Sequence, residues 1–394
     1  MIYSIFESKG GVLGGIARDT TIYEGAASKI NLDTEFMNTG IDEILTLEKI
    51  ISSSKTPLTY NSRILLDFEI DWTKISNNTP WSSSKAYLNL YTAEAKRIGA
   101  YFEVTAHPVS ESWISGLGRY GNKPKTLEGA SWKNYSGKGT AGNRWTTGSF
   151  TSQGTGSNLN ETGGGTWYTA SFGYQEIYEG LTTDLRMDVT NILTDWSSSV
   201  YYNEGFIIKK SGSAEYTASD YEKNDVDYGD LKYFSSNTHT VYPPRLEICW
   251  DDKVYNTGSL SALDMSDTGG VFFYLKNNRG SYKRGSKVRL YTLGREKYPV
   301  KTFFTTSAEL SIKHISSDKD ICYSIIDVKT DETIIPHDRI YTALSCHATK
   351  GNYFEFYSDS LFEDRHYKIQ LRYADSGSTD YSYYNIKDTF KVTR

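Results

Sequence analysis

The strongest constraint on this chain is a succession of short β-favouring runs, each closed off by Asn, Ser, Gly or Pro. Thr21 to Glu24, Ile44 to Leu47, Ser62 to Phe68, Ala86 to Thr92 and Tyr101 to Ala106 come first. Several alternate apolar with polar residues, the period of a strand with one face on a core. Ile64, Leu66 and Phe68 are expected on one side, Leu65 and Asp67 on the other. The runs are too short for ordinary helices and their spacing suits a β-sandwich or jelly roll. Composition agrees, with 32 Tyr and 33 Gly among 394 residues. Tyr, Thr and Phe suit pleated, half-buried surfaces, whereas Gly, Asn and Ser supply turns.

The stretch from Asp188 to Asp252 closes this first module. Val189, Ile192, Leu193 and Trp196 fall at i, i+3, i+4 and i+7, one apolar face of a short helix. Asp188 or Thr190 is placed to cap its first turn. Phe206-Ile207-Ile208 is expected to be a strand, and Leu246 to Trp250 the last one, opened by two prolines. The jelly-roll-like domain is thus expected over residues 20–252, with residues 1–19 as an N-terminal arm. The glycines at 10, 11, 14 and 15 do not make a phosphate loop, since no Gly-Lys-Ser/Thr follows.

Within that domain, residues 107–180 change character. Trp113, Trp132, Trp145 and Trp167 stand among dense Gly, Ser, Thr and Asn. The segment is expected to be one long excursion with short strands, lying over the sandwich or against another subunit. Its tryptophans are candidate contacts, because an indole on a polar loop can fill an interface or stack on a sugar face.

Residues 253–270 are rich in Ser, Asp and Gly and are expected to be a linker. A second β set follows over 271–394: Val271 to Leu275, Lys287 to Tyr291, Val300 to Phe304, Cys322 to Ile326, Tyr353 to Tyr357, Tyr367 to Tyr373 and Thr389 to Val392. With a hairpin turn expected at Asn277 to Gly280, this set suits an immunoglobulin-like sandwich.

Catalytic and metal patterns are weak. The six His are scattered without zinc spacing, and no G-x-S-x-G elbow occurs. The acidic run from Asn224 to Asp230 fails the EF-hand template, because its twelfth position from Asp225 is Ser236. Glu103, Glu111, Glu176 and Glu179 lie near the excursion, but spacing alone does not pair them as a glycosidase requires. Cys249, Cys322 and Cys346 show no CxxC motif and are expected as buried free thiols. A net charge of −5 gives no basic footprint for nucleic acid. No stretch approaches the roughly 20 apolar residues of a membrane span. The N-terminus lacks the basic and apolar regions of a secretion signal. No enzyme activity and no cofactor are expected.

The order of the motifs carries a resemblance. T-I-Y-E-G (21–25), S-R-I-L-L-D-F (62–68), A-Y-L-N-L-Y (86–91), V-S-E-S-W (109–113), G-A-S-W (129–132), D-V-T-N-I-L-T-D-W (188–196) and E-G-F-I-I-K-K (204–210) resemble the DNRLRE-type jelly-roll domain. The chain departs from that pattern in its longer, glycine-rich loop between Trp132 and Asp188. The jelly roll, P-R-L-E-x-x-W-D-D and Tyr-rich β tail together resemble uncharacterised virion structural proteins of tailed bacteriophages. That resemblance implies a non-enzymatic protein of the phage virion, assembled in the host cytoplasm. Its partners would be copies of itself and other virion proteins, in a ring or adaptor of the neck or tail. The alternative is a carbohydrate-binding module that attaches to host surface glycans.

Overall fold

A computed structural model describes residues 1–6, 18–24, 32–51, 59–76, 83–99, 101–145, 153–155, 163–178, 180–211, 226–265, 270–298, 311–316, 319–375 and 377–394. Among the described residues 49% are strand and 7% helix, so the all-β expectation holds. It divides into a larger unit, Ile5–Asn77 with Lys85–Glu247, and a C-terminal unit, Ile248–Arg394 with Met1–Ser4 and Asn78–Ser84.

The strands of the first 250 residues are β1 (Ile2–Phe6), β2 (Asp19–Tyr23), β3 (Ile44–Ile51), β4 (Thr59–Leu66), β5 (Lys85–Leu90), β6 (Thr92–Lys96), β7 (Tyr101–Pro108), β8 (Asn134–Ser136), β9 (Asn143–Arg144), β10 (Gln153–Thr155), β11 (Thr166–Tyr168), β12 (Gly173–Tyr178), β13 (Leu185–Asp188), β14 (Phe206–Ser211), β15 (Gly229–Phe234) and β16 (Arg245–Cys249). In the larger unit a curled sheet runs β12–β7–β14–β4–β3–β15–β6, with β2 also paired to β4. Strands β16, β5 and β13 belong to a second sheet, giving a β-sandwich.

A helix, Thr190–Ser197, buries Ile192, Leu193 and Trp196, as the spacing predicts. Asp188 Oδ1 accepts from Thr190 N–H at 3.0 Å, satisfying one donor of the first turn. Trp196 packs on Phe206 of β14 at 4.8 Å between ring centroids.

Three expectations need adjustment. First, residues 1–19 are not an arm throughout: Ile2–Phe6 is a strand, and Asp19 begins β2. Met1 is buried, its amine 2.8 Å from Asp252 Oδ1. The glycines of residues 10–15 lie outside the described residues. Second, β4 does not alternate between core and solvent, because residues 61–66 are buried on both faces. The excursion covers the face that carries Leu65, one of the two placements expected of it. Third, the described part of 253–270 is no free linker. Tyr255 forms a bridge to Cys346, and Leu263 N–H donates to His314 O at 2.7 Å, with Leu263 and Met265 buried.

The C-terminal unit continues with β17 (Val271–Lys276), β18 (Ser281–Lys283), β19 (Lys287–Glu296), β20 (Lys319–Asp327), β21 (Thr333–Ile335), β22 (Ser345–His347), β23 (Gly351–Tyr357), β24 (His366–Asp375) and β25 (Ser382–Thr393). These form two sheets, β17–β19–β23–β22 and β18–β25–β24–β20–β21. Tyr323 of β20 stacks on Phe354 of β23 at 4.2 Å, and Phe390 of β25 meets Phe356 at 5.4 Å. These aromatic pairs fill the space between the two sheets of a β-sandwich. The turn at Asn277 to Gly280 is not the expected hairpin: it leads from β17, which pairs with β19, into β18, which pairs with β25 in the other sheet. Val300 to Phe304 lies outside the described residues. Cys249, Cys322 and Cys346 are buried and outside any disulfide.

Candidate binding site

The four sequence-predicted tryptophans come together, but inside. Trp113 and Trp167 are 0% exposed and Trp132 and Trp145 2%, in one cluster with Ile22, Leu65, Val109, Ala130 and Ile207. Strand pairing sets the floor of this cluster. Ile207 of β14 is opposite both Leu65 of β4 and His107 of β7, so all three point to one face. Alternation adds Arg63 and Lys209 to that face. The excursion lies over it and runs between β7 and β12, with β8–β9 and β10–β11 as its short pairs. Its last residues differ from the expectation, since Gly173–Tyr178 is a strand of the large sheet.

The fit of charge against indole is specific. The Arg63 guanidinium lies 4.7 Å from the Trp132 ring and 5.1 Å from the Trp167 ring, and donates to Gly164 O. Lys209 Nζ lies 5.6 Å from the Trp167 ring. Such contacts gain strength when desolvated. Gly163, Gly164 and Gly165 all have positive φ, which lets the backbone come this close. A Cβ on Gly164 would stand 2.5 Å from the Arg63 guanidinium. Burial pushes the His107 imidazole down to about 3, and Lys209 and Arg63 push it the same way. His107 is therefore neutral at any ordinary pH.

Asn38, which nothing in the local sequence marks, ties the excursion down. Its amide donates to Ala130 O at 2.9 Å and to Ser115 O, while its oxygen accepts from Gly118 N–H at 2.8 Å. Its own N–H donates to Thr126 O at 2.8 Å. The outer side of the same loop exposes Ile114, Leu117 and Tyr120 at 55%, 77% and 54%. With no open face, none of the four tryptophans is placed to stack on a sugar.

A cavity of about 560 Å³ lies elsewhere in the larger unit. Tyr23 of β2, Glu48 of β3, and Asp230 and Lys232 of β15 line it, with Asp42 and the excursion residues Arg119 and Tyr120. Glu48 and Asp230 are register partners across β3 and β15, so both carboxylates leave the same face. Burial, then the facing Asp230, pushes the Glu48 carboxyl up to about 7. Asp42 is also raised, chiefly by burial, although Tyr120 N–H donates to its Oδ2 at 2.9 Å. Lys232 Nζ is shared between Glu94 at 2.6 Å and Asp230 Oδ2 at 3.2 Å. The Tyr23 and Tyr120 rings sit 5.2 Å apart at one wall. The cleft can therefore take a polar or cationic group against an aromatic surface.

The other candidate carboxylates are scattered. Glu103 and Glu176 face each other across β7 and β12, with the Tyr101 hydroxyl 2.8 Å and 3.5 Å from them. Glu179 lies outside the described residues, as do Asn224 and Asp225 of the acidic run. Asp227 accepts from Gly229 N–H at 2.8 Å, and Asp230 belongs to the cleft. Among the described residues, no group of three or more His, Cys, Asp or Glu is placed to hold a metal ion. Nor is any helix among them long and apolar enough to cross a membrane. The chain matches no family model, no curated protein and no solved structure.

Proposed function

We propose that this chain is a non-enzymatic structural protein of a tailed-phage virion. It assembles through protein–protein contacts with copies of itself and other virion proteins, as a ring or adaptor in the neck or tail. One observation carries the assembly reading: an irregular loop fixed from within by buried indoles and Asn38 exposes Ile114, Leu117 and Tyr120. Exposed apolar groups on an ordered loop favour an interaction surface. Little ordering entropy is then lost on docking. The virion placement rests on the order of motifs, from T-I-Y-E-G to P-R-L-E-x-x-W-D-D.

Sedimentation of the full chain over a range of concentrations tests the reading, alongside mass spectrometry of purified particles. Association that weakens in Ile114→Asp/Leu117→Asp, and recovery of the chain from particles, are the expected results. A chain that stays monomeric and is missing from particles contradicts it.

A second reading, glycan attachment, draws on the cleft. It sets two tyrosine rings beside carboxylates and Arg119, a mixture common in sugar sites. Saturable binding of host polysaccharide that Tyr120→Ala abolishes would favour this reading over assembly.

A further inference from the structure

We propose that the cleft formed by β3, β15 and the excursion receives a basic side chain, an arginine or lysine of a partner protein, against Glu48 and Asp230. This deepens the assembly reading by naming the chemistry of a docking residue, and it rests on that reading for the identity of the partner.

The charge imbalance follows from the strand pairing. Glu48 and Asp230 are directly opposed on antiparallel strands, an arrangement that destabilises a sheet when both are ionised. Lys232 is the cation paired with Asp230, and Glu94 holds it more closely than Asp230 does. The other Asp230 oxygen, Oδ1, is buried without a hydrogen-bond partner among the described residues, in a side chain that lines the cleft. Asp230 as a whole is 8% exposed. Oδ1 itself is sealed from the cleft, so the charge of this carboxylate is met by Lys232 at Oδ2 alone, and a cationic N–H brought against the half-buried Glu48–Asp230 pair gains more than it would at the surface. Around the cavity, four carboxylates (Asp42, Glu43, Glu48 and Asp230) stand against two cations, Arg119 and Lys232.

The walls suit the same guest. Guanidinium and ammonium groups are drawn to aromatic faces. Tyr120 already takes one in this way, with Lys125 Nζ 4.5 Å from its ring centroid. A cavity of about 560 Å³ has room for the head group and its methylene stem. A bare metal ion fits less well, because no set of three ligands is in place among the described residues. Glu48 adds a signature. Its carboxyl lies at about 7, with Asp230 raising it and Lys210, Lys232 and Arg97 lowering it. A bound cation displaces its proton, so affinity rises with pH through neutrality.

Calorimetric titration of the full chain with N-acetyl-arginine methylamide tests this, with neutral N-acetyl-citrulline methylamide as the control. The arginine compound is expected to bind saturably, and several-fold more tightly at pH 8 than at pH 6. Asp230→Asn is expected to weaken it about tenfold, and Glu48→Gln to remove the pH dependence. Equal binding of the citrulline compound overturns the proposal. So does the lack of arginine binding to wild-type chain that melts cooperatively. Should Asp230→Asn not fold, Glu48→Gln and the citrulline comparison decide. The titration involves no partner, so its failure strikes the cleft alone, whereas failure in sedimentation strikes the assembly reading.

Discussion

The covered face of the large sheet and the open cleft both bring like charges together, and they resolve the conflict in opposite ways. Beneath the excursion, Arg63 is held between two indole faces and bonded to Gly164 O, while His107 stays neutral. The chain supplies its own compensation and closes over it. In the cleft, Glu48 and Asp230 face each other, and the lysine paired with Asp230 is held more closely by Glu94. There the cost is relieved by a proton on Glu48, or by a cation from outside. A charge group sealed by its own lid is scaffold, whereas one left short of counter-charge in an open cavity is a candidate site.

The largest effects should come from breaking the lid. Trp132→Ala empties a buried site at the centre of the cluster and is expected to cost about 4 kcal/mol, read from urea unfolding. Asn38→Ala removes several buried hydrogen bonds at once and is expected to cost about 2–3 kcal/mol. It should also open residues 114–130 to proteolysis before the sheet unfolds.

Changing pH separates the regions by sign. The folded-state value of Glu48, about 7, lies above its ordinary 4.5. Its contribution is therefore full below pH 4.5 and is lost as pH rises through 7. Glu48→Gln should be more stable than wild type by about 1–2 kcal/mol at pH 8, and no different near pH 4. For His107 the folded value, about 3, lies below the ordinary 6.5. Stability present above pH 6.5 is lost as pH falls towards 3, and His107→Gln should flatten that acid limb. Two slopes of the same sign in these difference curves would dissolve the contrast.

The smallest effect on stability belongs to the outer surface. Leu117→Ser is expected to change unfolding by less than about 0.5 kcal/mol while weakening self-association measured by sedimentation.

Much of the scaffold was legible because strands write a local pattern. The helix ending near Trp196, the closing strand before Trp250 and most strands of the C-terminal unit follow from spacing that spans only a few residues. The excursion was legible as an object but not in its packing. Trp132 and Trp145 stand among Gly, Ser and Thr, which looks open until a sheet face carrying Arg63 and Lys209 is placed beneath them. Burial of both faces of β4 was hidden for the same reason. The cleft was hidden by distance along the chain, since Glu48 meets Asp230 only through the β3–β15 pairing. In the sequence Asp230 is the end of an acidic run. The opposing strand gives that carboxylate its setting, and the run does not reveal it.

The contrast between sealed scaffold and open site is tested most directly by a backbone and indole NMR titration of the full chain with N-acetyl-arginine methylamide. The account predicts that the amides of Tyr23, Glu48, Tyr120 and Asp230 shift, and that the indole N–H signals of Trp113, Trp132, Trp145 and Trp167 stay in place. Movement of those indoles, with the cleft amides unchanged, would contradict it.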